Sequence, residues 1–307
     1  MRTDPVFTDW QSRHAQLWGN APILLKHRLH EHPLFSDAAL ARLVDGYPRE
    51  HYNLVQWGTH GSSGSWREGE LAGLPGEAII EAIAGGRVWM NMRNLPLVDP
   101  RYGAMMDDIF EELEDYMPEF RTLNRTIGLL ISSPNSRTLY HLDLPGQSLW
   151  QIRGSKRVHV YPCASPFKTP EIVERVALSG VEVNMPYAEW YDEHATVHDI
   201  GPGDMLHWPL NAPHRVDNHD CLNVSMTMEY FTDDIRRAHM VTRANGILRA
   251  KFGHAPKSQA TTGPSFWAKA LLQRALRDTA WVKRESRLRR TPEFRLDPSR
   301  PGCVVEL

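Results

Sequence analysis

The chain has 307 residues, of which 41% are hydrophobic and 23% charged, with a formal net charge of −2. This length can bury one large core or two modest ones. The balanced charge excludes a global excess that would make nucleic acid or an anionic membrane the main partner. Three cysteines without a CxxC spacing are more typical of a reducing compartment than of a disulfide framework.

Targeting patterns are not found in the sequence. No apolar segment follows the basic start, so the first twenty residues do not resemble a secretory signal. No apolar stretch is long enough to span a bilayer. We therefore expect a cytoplasmic protein that requires neither a membrane nor nucleic acid as a partner.

The N-terminal region, residues 1–84, mixes helical stretches with short apolar runs and is expected to pack on the next module. Residues 21–29 predict a strand. Residues 36–48 predict a helix that begins after the capping residue Ser36. A further amphipathic helix is predicted over residues 104–117, with apolar side chains on one face and a solvated acidic face on the other.

The pattern changes from about residue 125 to short β-type runs separated by Gly, Pro and Asn. Regular short strands with turn signals predict an antiparallel sandwich or barrel, which we place over residues 85–235. Beyond it, residues 236–307 predict a C-terminal helical region. Residues 271–300 contain nine Lys or Arg against four Asp or Glu, which we interpret as a solvated helix end, with phosphate binding as the alternative.

A His-x-Asp pair lies in the β-rich region. Residues two apart in a strand point to the same face, so His141 and Asp143 converge. On an inner face they are costly unless paired or bound to a metal; a satisfied core histidine and a turn aspartate are the alternative. Downstream, Pro209 and Pro213 bracket a loop that holds His214 at a fixed place. Two histidines and one carboxylate form the facial triad of non-heme Fe(II) oxygenases.

Lys156 is an isolated lysine within an apolar run. By strand parity it shares a face with Val158 and Val160. A buried ammonium requires an anion, and no acidic residue lies near it in sequence. A carboxylate-bearing co-substrate beside the metal would supply that anion. The alternative is a lysine that snorkels at a strand end.

Together these residues resemble the jumonji-C (JmjC) family of 2-oxoglutarate-dependent oxygenases, in the cupin-like branch that includes the asparaginyl hydroxylase of hypoxia-inducible factor. The resemblance implies a mainly β protein with a double-stranded β-helix (cupin or jelly-roll) core and helical additions at both ends. It implies that His141, Asp143 and His214 bind Fe(II) at the catalytic centre. It further implies that Lys156 and Thr138 bind the distal carboxylate of 2-oxoglutarate.

At the remaining co-substrate contacts, this chain departs from the family pattern. Strict alternation turns Thr138 away from the first histidine, so its role requires a bulge. Gln147 and Glu229 stand where the hydroxylase resembled here has asparagines that face the co-substrate. An ionised Glu229 would repel an anionic ligand. Gln147, Asn223 and Thr227 are therefore the predicted additional contacts.

The reaction that the resemblance implies consumes 2-oxoglutarate and O2, releases succinate and CO2, and hydroxylates a substrate, or demethylates it where the carbon is bound to nitrogen. We interpret the substrate as a protein or peptide side chain, with a small molecule or natural product as the alternative. A non-catalytic metal-binding cupin is the rival of another class, and a homodimer through the C-terminal helices is a further hypothesis. Candidate substrate contacts are Trp150, Trp208 and Trp190, with residues 163–198 as a wall of the entrance.

Overall fold

A computed structural model of the protein describes residues 4–57, 66–180, 185–280, 282 and 291–307. Its described strands form one sheet of ten strands and one of four. The strands are β1 (Ile23–Lys26), β2 (Tyr52–Trp57), β3 (Trp66–Glu70), β4 (Val88–Met92), β5 (Leu123–Ser132), β6 (Arg137–His141), β7 (Gly146–Arg153), β8 (Lys156–Val160), β9 (Thr196–Ile200), β10 (Asp204–His207), β11 (His214–Asn218), β12 (Asn223–Phe231), β13 (Phe294–Leu296) and β14 (Val304–Glu306).

Helices lie before, within and after this series of strands. None in the described ranges combines the length and apolarity needed to cross a membrane. The α-helices are α1 (Ser12–Leu17), α2 (Asp37–Val44), α3 (Gly76–Gly85), α4 (Leu95–Val98), α5 (Pro100–Tyr116), α6 (Pro170–Ser179), α7 (Asp233–Phe252) and α8 (Gly263–Leu276).

The strands β5 to β12 form a double-stranded β-helix. The larger sheet contains the antiparallel order β10-β7-β12-β5, and the smaller sheet has the order β6-β11-β8-β9. Leu149 and Leu206 of the larger sheet share one apolar cluster with Val158, Val160 and Ile200 of the smaller sheet. The two sheets therefore face each other across a common interior, which confirms the predicted jelly roll.

The larger sheet continues beyond the barrel on both sides. β1 pairs with β10 at one edge, and β4, β2, β3, β13 and β14 follow β5 at the other. Strands from all three predicted regions thus share one sheet, and the division at residues 84 and 235 stays a prediction.

Side-chain alternation along β12 separates an apolar core from a polar barrel interior. Val224, Met226 and Met228 belong to the large core that also contains residues of the N-terminal helices. The residues between them, including Ser225 and Thr227, face the opposite way, toward the smaller sheet. The barrel interior is therefore lined partly by hydrogen-bonding groups.

The predicted helices are present, but the C-terminal region predicted as helical also contains β13 and β14, and the acidic face of α5 needs a correction. The helix predicted after Ser36 is α2, and the Ser36 hydroxyl accepts the Ala39 N–H at 3.4 Å. On α5, Glu112 is not solvated but 3% exposed. Its carboxylate accepts the backbone N–H groups of Val6 and Phe7 at 2.7 and 3.1 Å. Glu112 thus ties the N-terminal segment to α5, because those buried N–H groups require an acceptor.

Candidate metal centre and co-substrate pocket

The three predicted metal ligands meet at one end of the barrel. His141 ends β6 and is the register partner of His214, which begins β11, while Asp143 lies two residues past β6. One ligand atom of each residue lies within 4.8 Å of the others, and His214 Nε2 is 3.3 Å from Asp143 Oδ2. Neighbouring ligands of an octahedral ion with bonds of about 2.1 Å are about 3 Å apart. This spacing fits a single metal ion.

Backbone carbonyls determine which nitrogen of each imidazole faces the cluster. His141 Nδ1 is 2.7 Å from the Leu139 carbonyl oxygen, and His214 Nδ1 is 3.0 Å from that of Ala212. Because a carbonyl only accepts, each Nδ1 must carry the proton. Each Nε2 therefore retains the lone pair that a metal ion requires.

The electrostatics of the three groups also favour a cation. Burial lowers the pKa of His141, and burial together with His141 holds the pKa of His214 well below its ordinary value. Burial raises the pKa of Asp143 to about 7, and among the described residues no lysine or arginine forms an ion pair with it. Two neutral imidazoles thus direct lone pairs toward a buried carboxylate, an arrangement that a divalent cation stabilises.

Neighbouring side chains hold the ligands in place. With its amide nitrogen facing the carboxylate, Gln147 donates to both Asp143 oxygens, at 3.2 and 3.0 Å. The Asn211 amide donates to the backbone carbonyl of Asp143. The Trp208 ring packs on the His214 ring with 4.5 Å between their centroids. The role of Asn211 was not predicted from the sequence, although its position between Pro209 and Pro213 was the available signal. Hydrogen bonds and packing contacts to metal ligands, like these three, tune metal affinity.

The bulge predicted for Thr138 is present. His141 pairs with His214 and Thr138 pairs with Val216, so three steps along β6 match two steps along β11. The extra residue in β6 shifts the alternation by one. Thr138 therefore shares the interior face with His141 and with Val216, which packs against the barrel cluster.

Lys156 lies inside the barrel, at the start of β8. It is 3% exposed, and its register partners are Asn218 and Ile200. Burial lowers the pKa of Lys156 to about 7, against a smaller opposing effect of Cys221. No carboxylate within the described ranges forms an ion pair with its ammonium. An anionic ligand in the interior would supply the missing partner.

The other predicted co-substrate contacts also lie in the interior. Asn223 is engaged, because its amide oxygen accepts from Gln151 at 2.7 Å and its nitrogen donates to the Cys221 carbonyl at 2.9 Å. Thr227 is 8% exposed. Burial and then Asp143 raise the pKa of Glu229 to about 7, so near neutral pH a protonated carboxyl can donate a hydrogen bond. The co-substrate contacts of Gln147, Asn223 and Thr227 stay predictions.

The three tryptophans predicted to contact the substrate occupy different environments. Trp150 is fully buried on the core side of β7, with its ring 5.1 Å from that of Phe7. It is a core residue, and its prediction as a substrate contact is wrong. Trp208 lies beside the metal ligands. Trp190, on the 3-10 helix Glu189–His194, is 48% exposed and packs on Phe167, so its role stays a prediction.

Before β9, the described part of the segment 163–198 packs against the outer side of the smaller sheet. Tyr140 and Tyr161 share an apolar cluster with Phe167 and Val173 of this segment, and the Tyr140 hydroxyl donates to the Phe167 carbonyl at 2.7 Å. Residues 181–184 lie outside the described part. A role of the segment as a wall of the entrance stays a prediction.

Comparison with known proteins finds similar solved structures. No protein-family model and no curated protein matches the chain. An X-ray structure of E. coli YcfD is similar, with 16% identity and a TM-score of 0.49. The match covers 94% of this chain and 75% of the YcfD chain. A structure of YcfD, a ribosomal oxygenase from Escherichia coli, in complex with cobalt and 2-oxoglutarate also has 16% identity and a TM-score of 0.49. The match covers 94% of this chain and 74% of the YcfD chain. A complex with cobalt and succinic acid has 16% identity and a TM-score of 0.48, covering 94% of this chain and 74% of its own.

Proposed function

We propose that the protein is an Fe(II)- and 2-oxoglutarate-dependent oxygenase. The observation that carries this proposal is a His-Asp-His donor set in the same barrel interior as a buried lysine that pairs with no described carboxylate. Lys156 lies four residues from Val160, the register partner of His214. About 13 Å of strand separates the two positions. An extended lysine side chain and a five-carbon dicarboxylate together bridge such a span, whereas a purely structural metal site needs no such lysine.

Each polar group in the interior then has a part in binding. His141, Asp143 and His214 would hold the ion on one side and leave adjacent positions open. Fe(II), when bound, supplies the activation of O2 and the oxidative decarboxylation of 2-oxoglutarate to succinate and CO2. The Lys156 ammonium and the Thr138 hydroxyl would bind the distal carboxylate. The apolar cluster of the interior excludes water from that ion pair, which strengthens it.

We infer hydroxylation of a protein or peptide side chain as the outcome. The larger sheet extends past the barrel through β4 and β2, which offers a broad face beside the metal centre. Asn91 and Asn53 pair across these strands, and Asn91 pairs with Leu130, so all three share the face of the barrel interior. Both asparagines are partly exposed and offer hydrogen bonds to an extended peptide. Hydroxylation of a small molecule and demethylation are the alternatives.

The test is formation of succinate by purified protein supplied with Fe(II), ascorbate and 2-oxoglutarate. We expect slow formation without substrate, abolished in His141→Ala. His219→Ala is the matched control, because His219 is an exposed histidine that contacts Asp199 outside the site. The proposal would be contradicted if no succinate formed and if Lys156→Ala did not change 2-oxoglutarate binding. The protein would then be a metal-binding cupin without oxygenase activity.

The substrate is sought by mass spectrometry of a cell extract treated with active protein or with His141→Ala. A peptide that gains one oxygen atom only with active protein identifies a hydroxylase. A peptide that loses a methyl group identifies a demethylase. Turnover stimulated only by low-molecular-weight fractions would contradict a protein substrate.

A further inference from the structure

A second polar cavity lies where α7 and α8 meet the start of β5 and the end of β12. Its volume is about 640 Å³. The cavity is separate from the metal centre, because none of the three candidate metal ligands lines it. The donors that line it are three arginines, a histidine and two amides: Arg236, Arg243, Arg277, His239, Gln273 and Asn124.

Positive charge around this cavity is only partly neutralised. Asp278 is the one carboxylate among the described residues that line it, and it pairs with Arg277 at 3.2 Å. Arg236 pairs with Asp233, outside the lining, at 2.9 Å. Both pairs are largely exposed, and exposed pairs contribute little. The cavity therefore keeps an excess of hydrogen-bond donors and of positive charge.

Arg243 is the least satisfied of the three arginines. Its Nε is buried and has no hydrogen-bond partner among the described residues, although one terminal nitrogen donates to the Ala177 carbonyl at 3.3 Å. Burial and then Arg277 lower the pKa of Arg243, against a smaller opposing effect of Asp278, and burial and then Arg243 lower the pKa of His239. These basic groups therefore disfavour one another's charge, and a bound anion would relieve that repulsion.

We propose that this cavity binds a phosphate group, either free or carried by a nucleotide or single-stranded nucleic acid. Arginine forks bind phosphate oxygens through paired hydrogen bonds, and the amides of Gln273 and Asn124 add neutral donors. A groove of about 370 Å³ shares Arg236, Gln273 and Arg277 with the cavity and is bordered by Trp267, which is 60% exposed. An exposed indole beside a phosphate site can stack on a base, whereas free phosphate makes no use of it.

The test is calorimetric titration of the full chain with inorganic phosphate. Arg243→Gln and Arg277→Gln each weaken binding by roughly tenfold, which corresponds to about 1.4 kcal/mol. Arg42→Gln, an exposed arginine on α2, leaves binding unchanged. Asp278→Asn strengthens binding, a gain that misfolding cannot produce. Phosphate that does not bind, or binds all five proteins equally, overturns the proposal.

A second titration with a short single-stranded oligonucleotide identifies the source of the phosphate. Binding tighter than that of inorganic phosphate, reduced to the same level by Trp267→Ala, assigns the site to nucleic acid or nucleotide. Equal affinity, unaffected by Trp267→Ala, assigns it to free phosphate. Arg277→Gln forms succinate at the wild-type rate, because the cavity lies outside the metal centre, so the two proposals fail independently.

Discussion

Thr138 and His141 point to the same side of β6, although they are three residues apart in the chain. One extra residue in β6 relative to β11 produces this relationship. Without the bulge, either the metal ligand or the hydroxyl would face outward, because alternate residues of a strand occupy opposite faces. The bulge therefore places the candidate metal ligand His141 and the proposed co-substrate contact Thr138 on one face of a single strand.

Removal of the Thr138 hydroxyl tests that contact. We expect Thr138→Val to weaken 2-oxoglutarate binding roughly tenfold, because a hydrogen bond to a carboxylate is lost. The measurement is calorimetric titration of Mn(II)-loaded protein. Thr138→Ser, which retains the hydroxyl, is the control and should bind nearly as the wild type does. Equal weakening in both variants would point to packing instead of the hydroxyl.

The depressed pKa of Lys156, about 7 against an ordinary value of 10.5, predicts a pH dependence of co-substrate binding. Above pH 7 the ammonium of the ligand-free protein loses its proton, so binding of a dianion must restore it. The affinity for 2-oxoglutarate should therefore fall as pH rises from 7 to 9, by up to about tenfold per unit. Titrations at fixed ionic strength measure this slope.

Lys156→Arg is the control for that slope. A guanidinium stays protonated throughout this range, so the affinity of this variant should not fall between pH 7 and 9, whatever its value at pH 7. A slope equal to that of the wild type would mean that another group titrates.

Gln147 should support the metal ion through Asp143. We expect Gln147→Met to lower the affinity for Fe(II) or Mn(II) about tenfold, as is usual when a hydrogen bond to a ligand is removed. Competition with a metal-binding dye measures it. Gln151→Met is the matched control, because Gln151 lies on the same face of β7 but binds Arg153 and Asn223. Loss of metal affinity in both would indicate general destabilisation of β7.

The junction of α6 and α7 depends on one buried carboxylate. Glu174 has a side-chain exposure of 1% and accepts from Arg249 Nε at 2.8 Å. Arg249→Leu should lower the free energy of unfolding, since the buried carboxylate loses a charged hydrogen-bond partner. Chemical denaturation measures the loss, and succinate formation should continue.

Two comparisons accompany that measurement. Glu174→Leu combined with Arg249→Leu should recover most of the loss, because no unpaired charge remains. Arg157→Leu breaks an exposed pair with Asp199 and should lower the free energy of unfolding by less than Arg249→Leu does. A double variant less stable than Arg249→Leu would mean that Glu174 acts mainly through packing.

Much of the candidate site follows from local sequence patterns. Strand alternation places Lys156 with Val158 and Val160, and the structure confirms that all three face inward. The conflict between the parity of Thr138 and its expected role predicted a bulge, which is present. These inferences succeed because strand geometry depends on neighbouring residues.

Other features depend on contacts between distant parts of the chain. Glu112 has the sequence context of a solvated helix face, but it binds Val6 and Phe7 more than a hundred residues away. Trp150 lies on a strand that is buried on both faces, where alternation does not distinguish core from pocket. The sequence also did not reveal that Gln147 contacts Asp143, since that depends on how the turn between β6 and β7 closes.

The most direct test is anaerobic titration of the Fe(II)-loaded protein with 2-oxoglutarate, followed by visible absorption. Chelation of 2-oxoglutarate to Fe(II) should produce a charge-transfer band in the wild type. His141→Ala should produce none, and Lys156→Met should produce it only at much higher concentrations of 2-oxoglutarate. A wild-type protein that binds Fe(II) but develops no band, or a band unaffected by both substitutions, would contradict the assignment of this barrel as a 2-oxoglutarate-dependent iron site.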